Sequence, residues 1–128
     1  MITMKSTVIP ATLLLLAALV WGQTNVYWSN NVARADAVRA ASQLRMGMWE
    51  EHASKQLATN GLKNTVGIGA AVGWNRYYGL SDGSSLVLDY SARYIATTGH
   101  WGGNGILQRA WIESNSVLVT QIALTNAP

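Results

Sequence analysis

The sequence has no cysteine, no phenylalanine and only two prolines. The first absence excludes a disulfide framework and any cysteine-held metal or redox centre. Charge is scarce as well: charged residues are 12% of the chain and hydrophobic ones 49%, where soluble domains carry about 25% charged residues. A surface so poor in charge is expected to face a membrane or other protein chains over much of its area. The nine basic residues outnumber the six acidic ones, giving a net charge of +3. They are spread along the whole length, so the clustered footprint of a nucleic-acid-binding protein is missing. In place of phenylalanine there are six Trp and five Tyr, side chains with an apolar body and a polar tip that suit boundaries between apolar and wet zones. A length of 128 residues accommodates one domain plus an appendage.

Residues 7–21, TVIPATLLLLAALVW, carry no charge. A helix over this stretch is only about 22 Å long at 1.5 Å per residue, short of the roughly 20 apolar residues a membrane span needs. Three fates are open to it: removal as a signal peptide, residence in a membrane, or packing against copies of itself. Trp21 spoils the small-residue cleavage pattern expected after a signal peptide. The expectation is therefore a segment that stays in the membrane for a time and then packs in a polymer. Its candidate contact residues are Val8, Ile9, Pro10, Leu13, Leu14, Leu15, Leu16, Leu19, Val20 and Trp21. Residues 1–25 form this apolar helical segment, and residues 26–128 form the head.

Helical spacing resumes at Val26 and runs through Asn30, Ala33, Ala37, Ala40, Ala41, Leu44, Met48 and Leu57, positions mostly three or four apart. Asp36 with Arg39 and Glu51 with Lys55 are spaced for ion pairs on one helix face, and Asn60-Gly61 is a helix stop. The pattern predicts an amphipathic helix over 26–60, continuous with the apolar segment or interrupted near residues 22–25. Beyond residue 65 the texture changes. Residues 86–96 alternate strictly, with Leu86, Leu88, Tyr90, Ala92 and Tyr94 on one face, and predict a strand. Residues 106–113 and 117–125 predict two more, joined through Asn115, while the glycine-dense stretch 63–80 reads as loop or weak strand. The expected fold class is α+β: a long N-terminal helix packed by its C-terminal half on a small antiparallel sheet spanning 65–126.

Catalytic chemistry is not legible. His52 follows Glu50 and Glu51, but Gln56 stands where a zinc-binding helix needs its second histidine. The adjacent Glu50 and Glu51 point to diverging helix faces and read as solvated surface. Gly67-x-Gly69 does not continue into a phosphate-binding fingerprint followed by a helix. No catalytic, metal-binding or cofactor-binding residue is expected, and no cofactor. A mixture of Trp74, Arg76, Tyr77, Tyr78, Arg93, Tyr94, Arg109 and Trp111 suits sheet packing and subunit contacts. The glycine-rich connection 97–105 presents His100 and Trp101, the contact residues of an alternative reading: a membrane-anchored or secreted β-rich binding module.

The run Val8-Ile9-Pro10-Ala11-Thr12-Leu13-Leu14-Leu15-Leu16, then Gly22, then Ala33, Ala35-Asp36-Ala37 and Ala40-Ala41, resembles type IV pilin-like proteins, and the TadE-like pilins most of all. The resemblance covers residues 1–45. It implies a non-catalytic structural subunit, held in the inner membrane by its apolar helix, then extracted and stacked into an extracellular helical filament. The implied partners are copies of the same chain.

Overall fold

In the computed structural model, the structure describes residues 29–95, 97 and 99–126. The apolar segment with its candidate contacts, Val8 to Trp21, lies outside the described residues. Two nine-residue helices, α1 (Arg34–Ser42) and α2 (Glu50–Ala58), precede five strands: β1 (Val66–Ala70), β2 (Gly73–Gly79), β3 (Ser85–Ile95), β4 (His100–Ser114) and β5 (Val117–Ile122). The strands form a single antiparallel meander in the order β1-β2-β3-β4-β5. Among the described residues no helix is long and apolar enough to cross a membrane.

The expected helix over 26–60, and with it the long-helix fold class, is corrected: the described part is mostly β, and two short helices replace one long one. The break has a physical cause at residues 43–49. Gly47 takes φ +87°, a left-handed conformation that glycine adopts without steric cost. Its N–H donates to the Leu107 carbonyl (2.8 Å), and the Leu107 N–H donates to the Met48 carbonyl (2.9 Å). The Met46 N–H likewise donates to the Thr125 carbonyl (2.9 Å), and the Thr125 N–H to that of Leu44 (2.9 Å). This linker thus satisfies its backbone groups against Leu107 of β4 and Thr125 beyond β5 rather than within a helix. The helical stripe is shared between two elements: Ala37, Ala40 and Ala41 are buried in α1, and Ala53 and Leu57 in α2. The ion pairs Asp36–Arg39 (2.9 Å) and Glu51–Lys55 (3.5 Å) form on the respective exposed faces.

Both helices cover one face of the sheet. Their alanines permit close approach to Leu86, Leu88, Tyr90, Leu107, Ala110, Ile112 and Ile122, which complete the core with Leu44, Leu62 and Tyr78. Alternation in β3 decides the split: Leu86, Leu88, Tyr90 and Ala92 are buried on the helix side. On the opposite face Val87 is also fully buried, flanked by its cross-strand neighbours Tyr77 and Trp111. The β4–β5 hairpin turns on Asn115 (φ +52°) and Ser116 (φ +64°), the two left-handed positions of a tight hairpin turn. The chain enters through Asn30, whose side-chain oxygen accepts from the backbone N–H groups of Lys63 (2.8 Å) and Asn64 (2.6 Å). The Asn30 N–H donates to the Gly79 carbonyl (3.0 Å), so one residue ties the entry of the head to the approach to β1 and the end of β2.

Candidate functional site

Two features of the head stand out: a polar cluster between α2 and the sheet, and the two open edges of the sheet. The cluster centres on Glu50, in the first turn of α2, where a carboxylate also complements the helix dipole. Its Oε2 accepts from the Trp74 indole Nε1 (2.7 Å) and from Arg76 Nε (3.1 Å). Both donors stand on the helix-facing side of β2, opposite Tyr90 and Leu88 of β3. The Glu50 side chain is only 14% exposed and that of Arg76 34%. Glu50 and Glu51 do diverge, but Glu50 turns inward, so its reading as solvated surface is corrected.

Glycines make room for the cluster. A Cβ on Gly67 would come within 3.1 Å of the Arg76 guanidinium. On Gly105 it would lie 2.6 Å from the Trp74 ring and 2.8 Å from Tyr90 Cβ. Trp74 and Tyr90 stack with ring centres 6.4 Å apart. Burial pushes the phenols of both Tyr78 and Tyr90 above the usual tyrosine range, so both stay neutral. The Tyr90 hydroxyl is buried without a hydrogen-bond partner among the described residues. Both donors engage the same oxygen of one carboxylate. Its work is to lock α2 onto β2. A cleft of about 290 Å³ lies elsewhere, against α1, lined by Asn31, Val32, Asp36, Arg39, Gln43 and Asn60 among others. Its two charges pair with each other. Among the described residues no group of three or more His, Asp or Glu could hold a metal ion.

The edges differ in character. β1 is exposed from Gly67 to Ala70, and β5 from Val117 to Gln121. Neither strand contains a charged residue or a proline. The exposed large apolar side chains are Met46, Ile68, Val72, Val117, Leu118 and Val119. Five of those six belong to β1, the turn after it, or β5. β1 was expected as loop or weak strand, and no periodicity flagged it, because its alternate positions are glycine.

Of the sequence-derived contact residues, His100 and Trp101 open β4 and pair with Ile95 and Tyr94. The expected contact loop 97–105 is thereby reduced, since strand begins at His100 rather than at Ile106. His52 is exposed on α2. The aromatic and arginine mixture divides between faces. Trp74, Arg76 and Tyr78 face the helices. Arg109 lies over Trp111 (5.5 Å) and pairs with Asp89 (3.0 Å) on the other side. Arg93 lies over Trp49, the residue that starts α2, at 5.3 Å. Comparison with protein-family models, curated proteins and solved structures finds no match for the chain.

Proposed function

We propose that the protein is a non-catalytic structural subunit that assembles with copies of itself into an extracellular filament, residues 7–21 holding it in a membrane beforehand. The observation that carries this reading is the placement of exposed apolar side chains on the two uncharged outer strands. Natural sheets protect their edges with charge, proline or a covering element, because an open strand is a template for another. Among the described residues neither outer strand carries a charge or a proline or is covered by another element, and β5 has only the bulge at Val119, in a chain whose overall charge content is 12%. The resemblance of residues 1–45 to type IV pilin-like proteins points the same way. The reading keeps the apolar segment as a subunit contact without the long continuous helix.

The test is shear and ultracentrifugation of cells producing the full chain, with electron microscopy of the sedimented material. Fibres containing the intact subunit are expected. Leu14→Glu places a charge in the middle of the apolar segment, which costs about 2.5–3.5 kcal/mol in a membrane, and is expected to abolish the fibres. Chain that remains dispersed at every concentration, or Leu14→Glu fibres indistinguishable from the parent, would overturn the proposal.

A further inference from the structure

Resting on the homopolymer reading, we infer that β5 of one copy pairs in parallel with β1 of the next, so that the sheet continues from subunit to subunit. An unpaired edge strand offers a row of backbone N–H and C=O groups, and the group that satisfies such a row is another strand. The occupant chosen here is a second copy, and three observations select it and its orientation.

The first is composition. β1 (VGIGA) and β5 (VLVTQI) are both uncharged and nearly equal in length, at five and six residues. The bulge at Val119, where the β5 partner of β4 steps from Thr120 to Leu118, bends the edge without adding charge or proline. Each edge therefore fits the other without a buried charge. The second is topology. Strand order is β1-β2-β3-β4-β5, each neighbour antiparallel, so β1 and β5 run in the same direction at opposite sides. A copy displaced sideways along the sheet brings its β1 beside the first copy's β5. That contact is heterologous and leaves a free edge at each end, the condition for open growth.

The third is charge. Of the six acidic residues, five form ion pairs within the subunit: Asp36, Glu50, Glu51, Asp82 and Asp89. Glu113 has no ion-pair partner among the described residues. It pairs with Leu118 across the β4–β5 ladder, one strand in from the β5 edge. On the other side of the sheet, Lys63 just before β1 is likewise without an ion pair among the described residues. Both lie at the same end of the sheet. Gly79, Ser85 and Glu113 form one cross-strand row there, and the Lys63 N–H is held by Asn30 against Gly79. Sideways stacking therefore brings Glu113 of one copy to about two strand spacings, roughly 10 Å, from Lys63 of the next. That is about one Debye length, so the two charges attract. Two-fold pairing of like edges, β5 on β5 or β1 on β1, brings no such complement.

The test uses the full chain in mild detergent, which covers residues 7–21, with masses read by sedimentation velocity and light scattering. Ile68→Lys blocks the β1 edge and Leu118→Lys the β5 edge. These side chains are 60% and 52% exposed, and unchanged far-UV circular dichroism will show that the subunit still folds. The parent chain is expected to form a ladder of oligomers that grows with concentration, and each variant alone is expected to be monomeric. An equimolar mixture is expected to give a one-to-one dimer and nothing larger, because the open β5 of I68K fits the open β1 of L118K. A dimer of either variant alone would replace head-to-tail pairing with two-fold pairing. Oligomers in both variants as large as in the parent would overturn edge pairing while leaving the homopolymer reading in place. A parent chain that stays monomeric in detergent would overturn edge pairing too, and the fibre assay on cells then decides the homopolymer reading separately.

Discussion

Glu50→Ala is expected to lower the unfolding free energy of the head by about 2–3 kcal/mol. The substitution leaves the Arg76 guanidinium without its counter-ion and the Trp74 indole N–H without its acceptor. Breaking a fully buried pair costs about 3–5 kcal/mol. Arg76 keeps 34% of its side chain in contact with water, so screening brings the expectation below that range. Glu50→Gln retains an acceptor for the indole and removes only the charge, so its cost is expected to be about half as large. The measurement is urea unfolding followed by near-ultraviolet circular dichroism. It belongs in a background carrying Ile68→Lys and Leu118→Lys, because assembly would otherwise make stability depend on concentration. Equal midpoints for the parent and the alanine variant would show that the cluster does not lock α2 to the sheet.

The second large effect is steric. Gly105→Val is expected to cost about 3 kcal/mol, at the upper end of overpacking penalties. The new Cβ would meet Trp74 at 2.6 Å and Tyr90 at 2.8 Å. Trp74 is half-buried, and moving its ring aside breaks its bond to Glu50. Tyr90 is fully buried and has nowhere to go. The same unfolding assay reads the loss of stability, and tryptophan emission is expected to shift to the red as the Trp74 ring becomes wetter. A valine variant with unchanged stability and emission would mean that Trp74 does not rest on the β4 backbone.

These two sites also show where the sequence was readable and where it was not. Alternation at Leu86, Leu88, Tyr90 and Ala92 marks β3, because one side of that strand is core and the period of two survives intact. Asn60-Gly61 ends the helical region as its residue types require, with Gly61 at φ +82°. Gly47 is a visible flaw in the helical pattern, but Leu44 and Met48 continue the helical spacing across it, so the break does not show. Their burial is equally well served by an extended linker whose partners, Leu107 and Thr125, lie far along the chain. β1 and the start of β4 were hidden by glycine, which leaves no side-chain period to read. In β1 it is Gly67 that allows Arg76 to lie against the strand.

The Glu50 cluster has no local signature either. Its members Glu50, Trp74, Arg76 and Tyr90 are separated by up to 40 residues, and only the packing of α2 on β2 brings them together. The open edges are legible only after the strand order is known. Low charge in residues 64–75 and 114–128 is visible in the sequence, but its meaning depends on β1 and β5 being the two outermost strands. The aromatic and arginine mixture likewise looked like one set along the chain, and the sheet divides it between two faces.

The central claim is that copies of this chain join through their outermost strands. Hydrogen–deuterium exchange, compared between sedimented polymer of the parent chain and the detergent-dispersed monomer carrying Ile68→Lys and Leu118→Lys, tests it most directly. Backbone amides of β1 and β5 that face away from β2 and β4 are expected to exchange fast in the monomer and slowly in the polymer. Amides of β3 are expected to be slow in both. A polymer in which the amides of residues 66–70 and 117–122 exchange as fast as in the monomer would contradict the account.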